Sequence, residues 1–332
     1  MSRRRIALGY AGFGLFALAA IAAGLWWGAA RLDAAPPGTP EGEWIRRIVW
    51  ELRAPRVLTA FWAGAALGLA GAALQALFQN VLAEPYTLGV SSGAAFGAAL
   101  FFALGGASGL GAGGTALAGA AAALFLVQLL VRLSRRPSAE GLILAGAAVN
   151  AFFGALVSLL MVFAGEELRA IVYWLFGSVA GRSWPTVLGL GGLVAAGFVG
   201  LYAERRRLDA LLFGETAALA VGVDVVTLRR RVAFLASALA AGVVAAAGVI
   251  GFVGLVAPHV VRRFGAPMHR HLLPLAALFG GGWLVAADLI ARWALAPREL
   301  PLGVVTALVG APLFAWLLVR REALSGDDRD AR

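Results

Sequence analysis

From Ile6 to Val319 the chain alternates long apolar stretches with short polar ones. A helix needs roughly 20 apolar residues to cross a hydrocarbon core, and nine stretches fit: Ile6–Ala30, Val57–Leu77, Leu88–Ala107, Thr115–Val131, Leu142–Ala164, Trp184–Tyr202, Val232–Gly251, Leu272–Ile290 and Leu302–Val319. The longest polar intervals, Arg31–Arg56 and Ala203–Arg231, have the length of loops. The pattern therefore predicts an all-α, polytopic membrane protein. It forms one domain over 1–332, with a bundle over 6–319, a prominent loop over 203–231 and a tail over 320–332.

Composition agrees, with 61% hydrophobic and 14% charged residues and a mean hydropathy of +0.85, which excludes a soluble globule. All 28 basic residues are Arg. Arg3–Arg5, Arg132/Arg135/Arg136, Arg205–Arg207, Arg229–Arg231, Arg262/Arg263/Arg270 and Arg320/Arg321 with Arg329/Arg332 fall on one side. The positive-inside rule makes that side cytoplasmic and places both termini there. Two inner termini require an even number of crossings, so a tenth span is expected. Leu255–Val261, interrupted by Pro258, is the candidate: a short return helix buried among neighbours. The basic start and the long first apolar run predict a retained span rather than a cleaved signal peptide. Small-residue pairs such as Gly64/Gly68, Gly93/Gly97 and Gly177/Gly181 predict close helix packing. With no Cys, thiolate metal sites are excluded. With no Lys, the chain has no Gly-Lys-Ser/Thr phosphate loop, so any ATPase that drives it is a separate subunit.

Three segments carry recognisable wording. Gln75–Gly93 reads QALFQNVLAEPYTLGVSSG, a polar break in which Pro85 forbids a continuous helix. Ile250–Arg263 reads IGFVGLVAPHVVRR and Glu299–Phe314 reads ELPLGVVTALVGAPLF. Together they closely resemble the permeases of bacterial ABC importers for vitamin B12, haem and ferric siderophores, the FecCD/BtuC type. The one departure in the first motif is Val81, where that family has Pro.

The resemblance implies a homodimer in the inner membrane, two ATP-binding subunits that use ATP and Mg, a periplasmic binding protein and a bulky metal chelate as substrate. It implies no bond chemistry, bound cofactor or nucleic acid for this chain. It also assigns roles by position. Asn80, Leu82 and Ser138 become a cytoplasmic gate, and Leu211, Leu212, Gly214, Glu215 and Gly222 belong to a coupling helix that docks in the ATPase. Two short amphipathic turns divided by Gly214 fit that role, the alternative being a helix on the membrane surface. Arg53, Arg56 and Arg292 are expected to form the docking patch for the binding protein, against the alternative of contacts with lipid phosphate. Asp288 and Arg292, four apart, read as a structural ion pair rather than a proton relay. His259 reads as structural, and His269 and His271 as solvated loop residues without metal-site partners. The rival function is a secondary transporter driven by an ion gradient.

Overall fold

The computed structural model describes residues 3–27, 39–134 and 138–326. Arg135, Arg136, Arg329 and Arg332, used above for orientation, lie outside them, as do the side chains of Arg3, Arg320 and Arg321. The helices are α1 (Arg3–Trp26), α2 (Pro40–Arg47), α3 (Ala54–Leu77), α4 (Val90–Ala103), α5 (Gly109–Leu133), α6 (Ala139–Phe163), α7 (Leu168–Leu175), α8 (Trp184–Ala203), α9 (Arg205–Leu211), α10 (Glu215–Ala220), α11 (Val225–Ala247), α12 (Val253–Arg263), α13 (His269–Trp293) and α14 (Leu302–Gly326). Among the described residues there is no strand.

Among the described residues seven helices are long and apolar enough to cross a membrane, and Val90–Ala103 and Leu302–Leu313 are shorter apolar helices. The expected spans differ from the helices at their ends, the third and the seventh among them. The third predicted stretch began at Leu88, but Pro85–Leu88 forms a 3-10 turn and α4 has only 14 residues, about 21 Å of helix. The seventh was expected to reach Gly251, but α11 starts earlier, capped by the Asp224 carboxylate on the Thr227 amide, and stops at Gly248 with φ 75°. The expected return helix is α12, whose 11 residues give about 16 Å, roughly half the hydrocarbon core.

Helix α3 is the hub. It packs most extensively on α13 and also against α1, α8, α11 and α12, while α4 pairs with α5 and α6 beside it. The packing is backbone on backbone. A Cβ at Gly64 would meet the Gly280 carbonyl of α13, one at Gly68 the Ala276 carbonyl, and one at Gly71 the Gly254 carbonyl of α12. Gly93 and Gly97 do the same against Gly119 and Thr115 of α5. Without a hydrophobic drive between helices in lipid, such close approach is what gives van der Waals cohesion. The third pair behaves differently. Gly177 and Gly181 have φ of 73° and 65° and belong to the turns between α7 and α8; a Cβ at Gly177 would still meet the Val249 carbonyl, whereas Gly181 has open space and its role is conformational.

Candidate functional site

At one end of the bundle, the end expected outside, the last carbonyls of α1 lack intrahelical donors and two arginines supply them. Arg53 Nη1 donates to the Leu25 and Trp26 carbonyls at 3.0 and 2.7 Å, and the Arg292 guanidinium reaches the Gly24 and Trp27 carbonyls at 3.2 to 3.3 Å. Arg56 bridges Asp288 at 2.9 Å and Glu299 at 2.8 Å. Arg292 also pairs with Asp288 at 3.1 Å, so the expected i,i+4 pair exists within a larger network. The three arginines expected to dock a partner are thus brought together but turned inward. Arg53 is 7% exposed and Arg292 4%, and the Arg56 side chain 14%. Their guanidinium groups are occupied by two carboxylates and the end of α1 rather than offered to solvent.

Midway along the bundle two irregular stretches meet. Glu84 Oε1 accepts from the Phe252 amide at 3.1 Å. The Tyr86 hydroxyl donates to the Ile250 carbonyl at 2.9 Å and stands 3.1 Å from the Ile250 amide. Asn150 of α6 donates to the Tyr86 carbonyl at 3.1 Å and its Oδ1 accepts from Ser92 at 2.8 Å. Gln75 donates to the Gly254 and Leu255 carbonyls at 3.4 Å and accepts from Arg262. These side chains satisfy backbone that has left its helix, the condition for irregular structure at such depth. Phe252 itself has φ 67°, an outlying conformation for a bulky residue, and α14 leaves room for it with Gly310, where a Cβ would stand 2.5 Å from the Phe252 Cβ. Sequence reasoning quoted Glu84 and Tyr86 within a motif but gave them no role. The available signal was a polar group inside an apolar run.

At the other end, expected to be cytoplasmic, the loop after α3 and the α9–α10 pair meet. Gln79 donates to the Leu211 carbonyl at 2.8 Å. Asn80 is exposed, its Oδ1 accepting from the Leu82 amide at 2.9 Å, and Leu82 is 45% exposed. Ser138 caps α6 through the Gly141 amide. Gly214 (φ 101°) divides α9 from α10, and Gly222 (φ 81°) turns the chain toward α11. Leu211 is buried with Leu208 and Ala218, which removes it from the expected contact face, whereas Leu212 (44%), Phe213 (74%), Leu219 and Val221 are exposed. Glu215 is held by Arg229 at 3.0 Å, and buried Glu204 takes Arg207 and Arg231 at 2.7 and 3.1 Å.

The two histidines expected to be solvated at this end are buried in one case and half-buried in the other. His269 is fully buried, with its Nδ1 2.7 Å from Asp209 and its amide donating to the same oxygen at 2.8 Å. His271 meets the Tyr10 hydroxyl at 3.2 Å. The sequence placed them in a loop because their partners lie 60 and 261 residues away. Burial works against charge on Asp209, but the hydrogen bonds from His269 outweigh it and hold the carboxyl below its usual range. No group of three metal-binding side chains occurs among the described residues.

A family model described as the FecCD transport family matches residues 15–320. The chain is 43% identical over 282 residues to the uncharacterized ABC transporter permease protein YvrB of Bacillus subtilis (strain 168), covering 82% of this chain and 79% of that one. It is 41% identical over 309 residues to the cobalamin import system permease protein BtuC of Halobacterium salinarum, covering 92% and 83%. A solved inward-facing conformation of a metal-chelate type ABC transporter superposes with a TM-score of 0.84 at 35% identity, covering 93% of this chain and 98% of that one. With the family model matching residues 15–320 and relatives above 40% identical over most of its length, the chain belongs to the FecCD transport family.

Proposed function

We propose that the chain is the membrane subunit of an ATP-driven importer that moves a metal chelate inward, working as a homodimer with two ATPase subunits beneath it and a binding protein above. The observation that carries this reading is the exposed apolar surface of Leu212, Phe213, Leu219 and Val221 on the α9–α10 pair. Buried Leu208, Leu211 and Ala218 and the Arg229–Glu215 pair fix that surface to the bundle. A solvated loop has no use for it, and a chain without Lys needs its ATPase from elsewhere. Asn80 and Leu82 stand beside this surface and, with Ser138, are proposed to gate the inner mouth. The substrate class is proposed as cobalamin, which the name of one relative gives, or, from the motif resemblance, haem or a ferric siderophore. Arg53, Arg56 and Arg292 are proposed to serve the binding protein from beneath, by fixing the ends of α1, α3 and α13 that form the outer rim.

The ion-gradient alternative loses its best relay candidate, because buried Asp288 is committed to Arg56 and Arg292. Reconstituted with its ATPase and binding protein, the complex should take up the chelate that mass spectrometry finds in the purified binding protein. Uptake should continue when a protonophore collapses the proton gradient and stop when ATP is withheld. The opposite result replaces the ATP-driven reading with the secondary transporter.

A further inference from the structure

Near the outer end, α7, the outer end of α4, the turn at Gly248 and the loop 178–182 line an open cleft of ≈ 610 Å³, within the range that accommodates a small organic ligand. Its lining is mostly apolar and includes three aromatic rings, Phe102, Tyr173 and Trp174, together with Arg169, Arg182 and Glu166. Arg169 and Tyr173 are four apart on α7, so they share a face.

Arg182 is the unusual member. It is partly buried, and among the described residues no carboxylate lies within ion-pair distance of it; its Nη2 donates to the Ser178 carbonyl at 3.3 Å. Its Nε and the Trp174 Nε1 are both buried donors without a hydrogen-bond partner. The other arginines buried at this end, Arg53, Arg56 and Arg292, each have a carboxylate or a pair of carbonyls as partner. A half-buried cation left without a counter-charge, beside an unmatched N–H and flat rings, is an incomplete arrangement in a low-dielectric setting. What completes it is a ligand with anionic oxygens and a flat apolar face.

We propose that this cleft is a substrate site of the permease selective for anionic chelates. Arg182 and Arg169 receive the carboxylate or phosphate oxygens, and Tyr173 and Trp174 receive the flat apolar face. The proposal rests on the importer reading and narrows it, favouring charged chelates over neutral ones of similar size.

The test uses the purified permease in nanodiscs of zwitterionic lipid, with iron(III) protoporphyrin, which carries two propionates, and its dimethyl ester, which carries none. Saturable binding should favour the free acid. Arg182→Gln should weaken acid binding about tenfold, the scale of one charge-assisted contact, and leave the ester unchanged. Arg182→Lys should recover part of the loss. Arg169→Gln, at an exposed position, gives a second reading that does not depend on Arg182 tolerating substitution, and should also lower acid affinity.

Equal affinity for acid and ester, no saturable binding of the acid, or indifference to both Gln variants would each overturn the site. So would anionic phospholipid that co-purifies with the wild type and is lost in Arg182→Gln, since it would assign the cleft to a lipid headgroup. Co-purification with an ATP-hydrolysing subunit is scored separately. Its loss counts against the importer reading, whereas a failed charge preference with that association intact removes only the site.

Discussion

Asp288 sits at 1% exposure between two guanidinium groups. Removing one partner from a buried ion pair costs about 3–5 kcal/mol, because the remaining charge is stranded. Asp288→Asn is therefore expected to lower the thermal midpoint of the purified protein sharply. Glu299→Gln, whose side chain is 32% exposed, should cost at most about 1 kcal/mol. Equal shifts for the two would show that Asp288 is no deeper electrostatically than the rim. Arg56→Glu would set a third carboxylate beside Asp288 and Glu299, so its first effect is expected on folding, ahead of any effect on partner binding. The i,i+4 pair was legible in the sequence because both members lie on one helix. Arg56 was not, because 232 residues separate it from Asp288, and no local pattern encodes that distance.

The same divide appears for whole helices. Long spans follow from apolar runs of sufficient length, and the two turns around Gly214 follow from the apolar spacing within 203–231, so α9 and α10 were both readable. Which of their apolar residues face inward was not, since Leu211 and Leu212 are adjacent and equally apolar, and only the position of the bundle separates them. Leu212→Asp is expected to leave the permease inserted and to reduce co-purification of the ATPase, as loss of a buried apolar contact worth roughly 1.5–3 kcal/mol implies. Undiminished assembly would assign the α9–α10 face to the membrane surface. For helix packing, Gly64→Leu drives a side chain into the Gly280 backbone and Leu284 and should abolish monodisperse protein on size exclusion. Gly114→Leu, with nothing within 4 Å of the new Cβ, should elute as wild type. Comparable behaviour of the two would mean that α3 and α13 can part without penalty.

Across the molecule, hydropathy reported the regular parts, and the short Pro-bearing helix expected around Leu255–Val261 is α12, 11 residues long. Hydropathy could not report how that short helix is completed, because the completing groups are Glu84, Tyr86 and Asn150 from other segments. This junction has a consequence for anyone exchanging parts between such permeases. The stretch from Gly248 to Phe252 and the stretch from Glu84 to Leu88 are two halves of one mould, the former supplying backbone and the latter the groups that fit it. A hybrid that takes one half from a relative and keeps the other inherits a lock cut for a different key. The smallest transplantable unit is therefore the pair, together with the glycine at 310 that makes room for it.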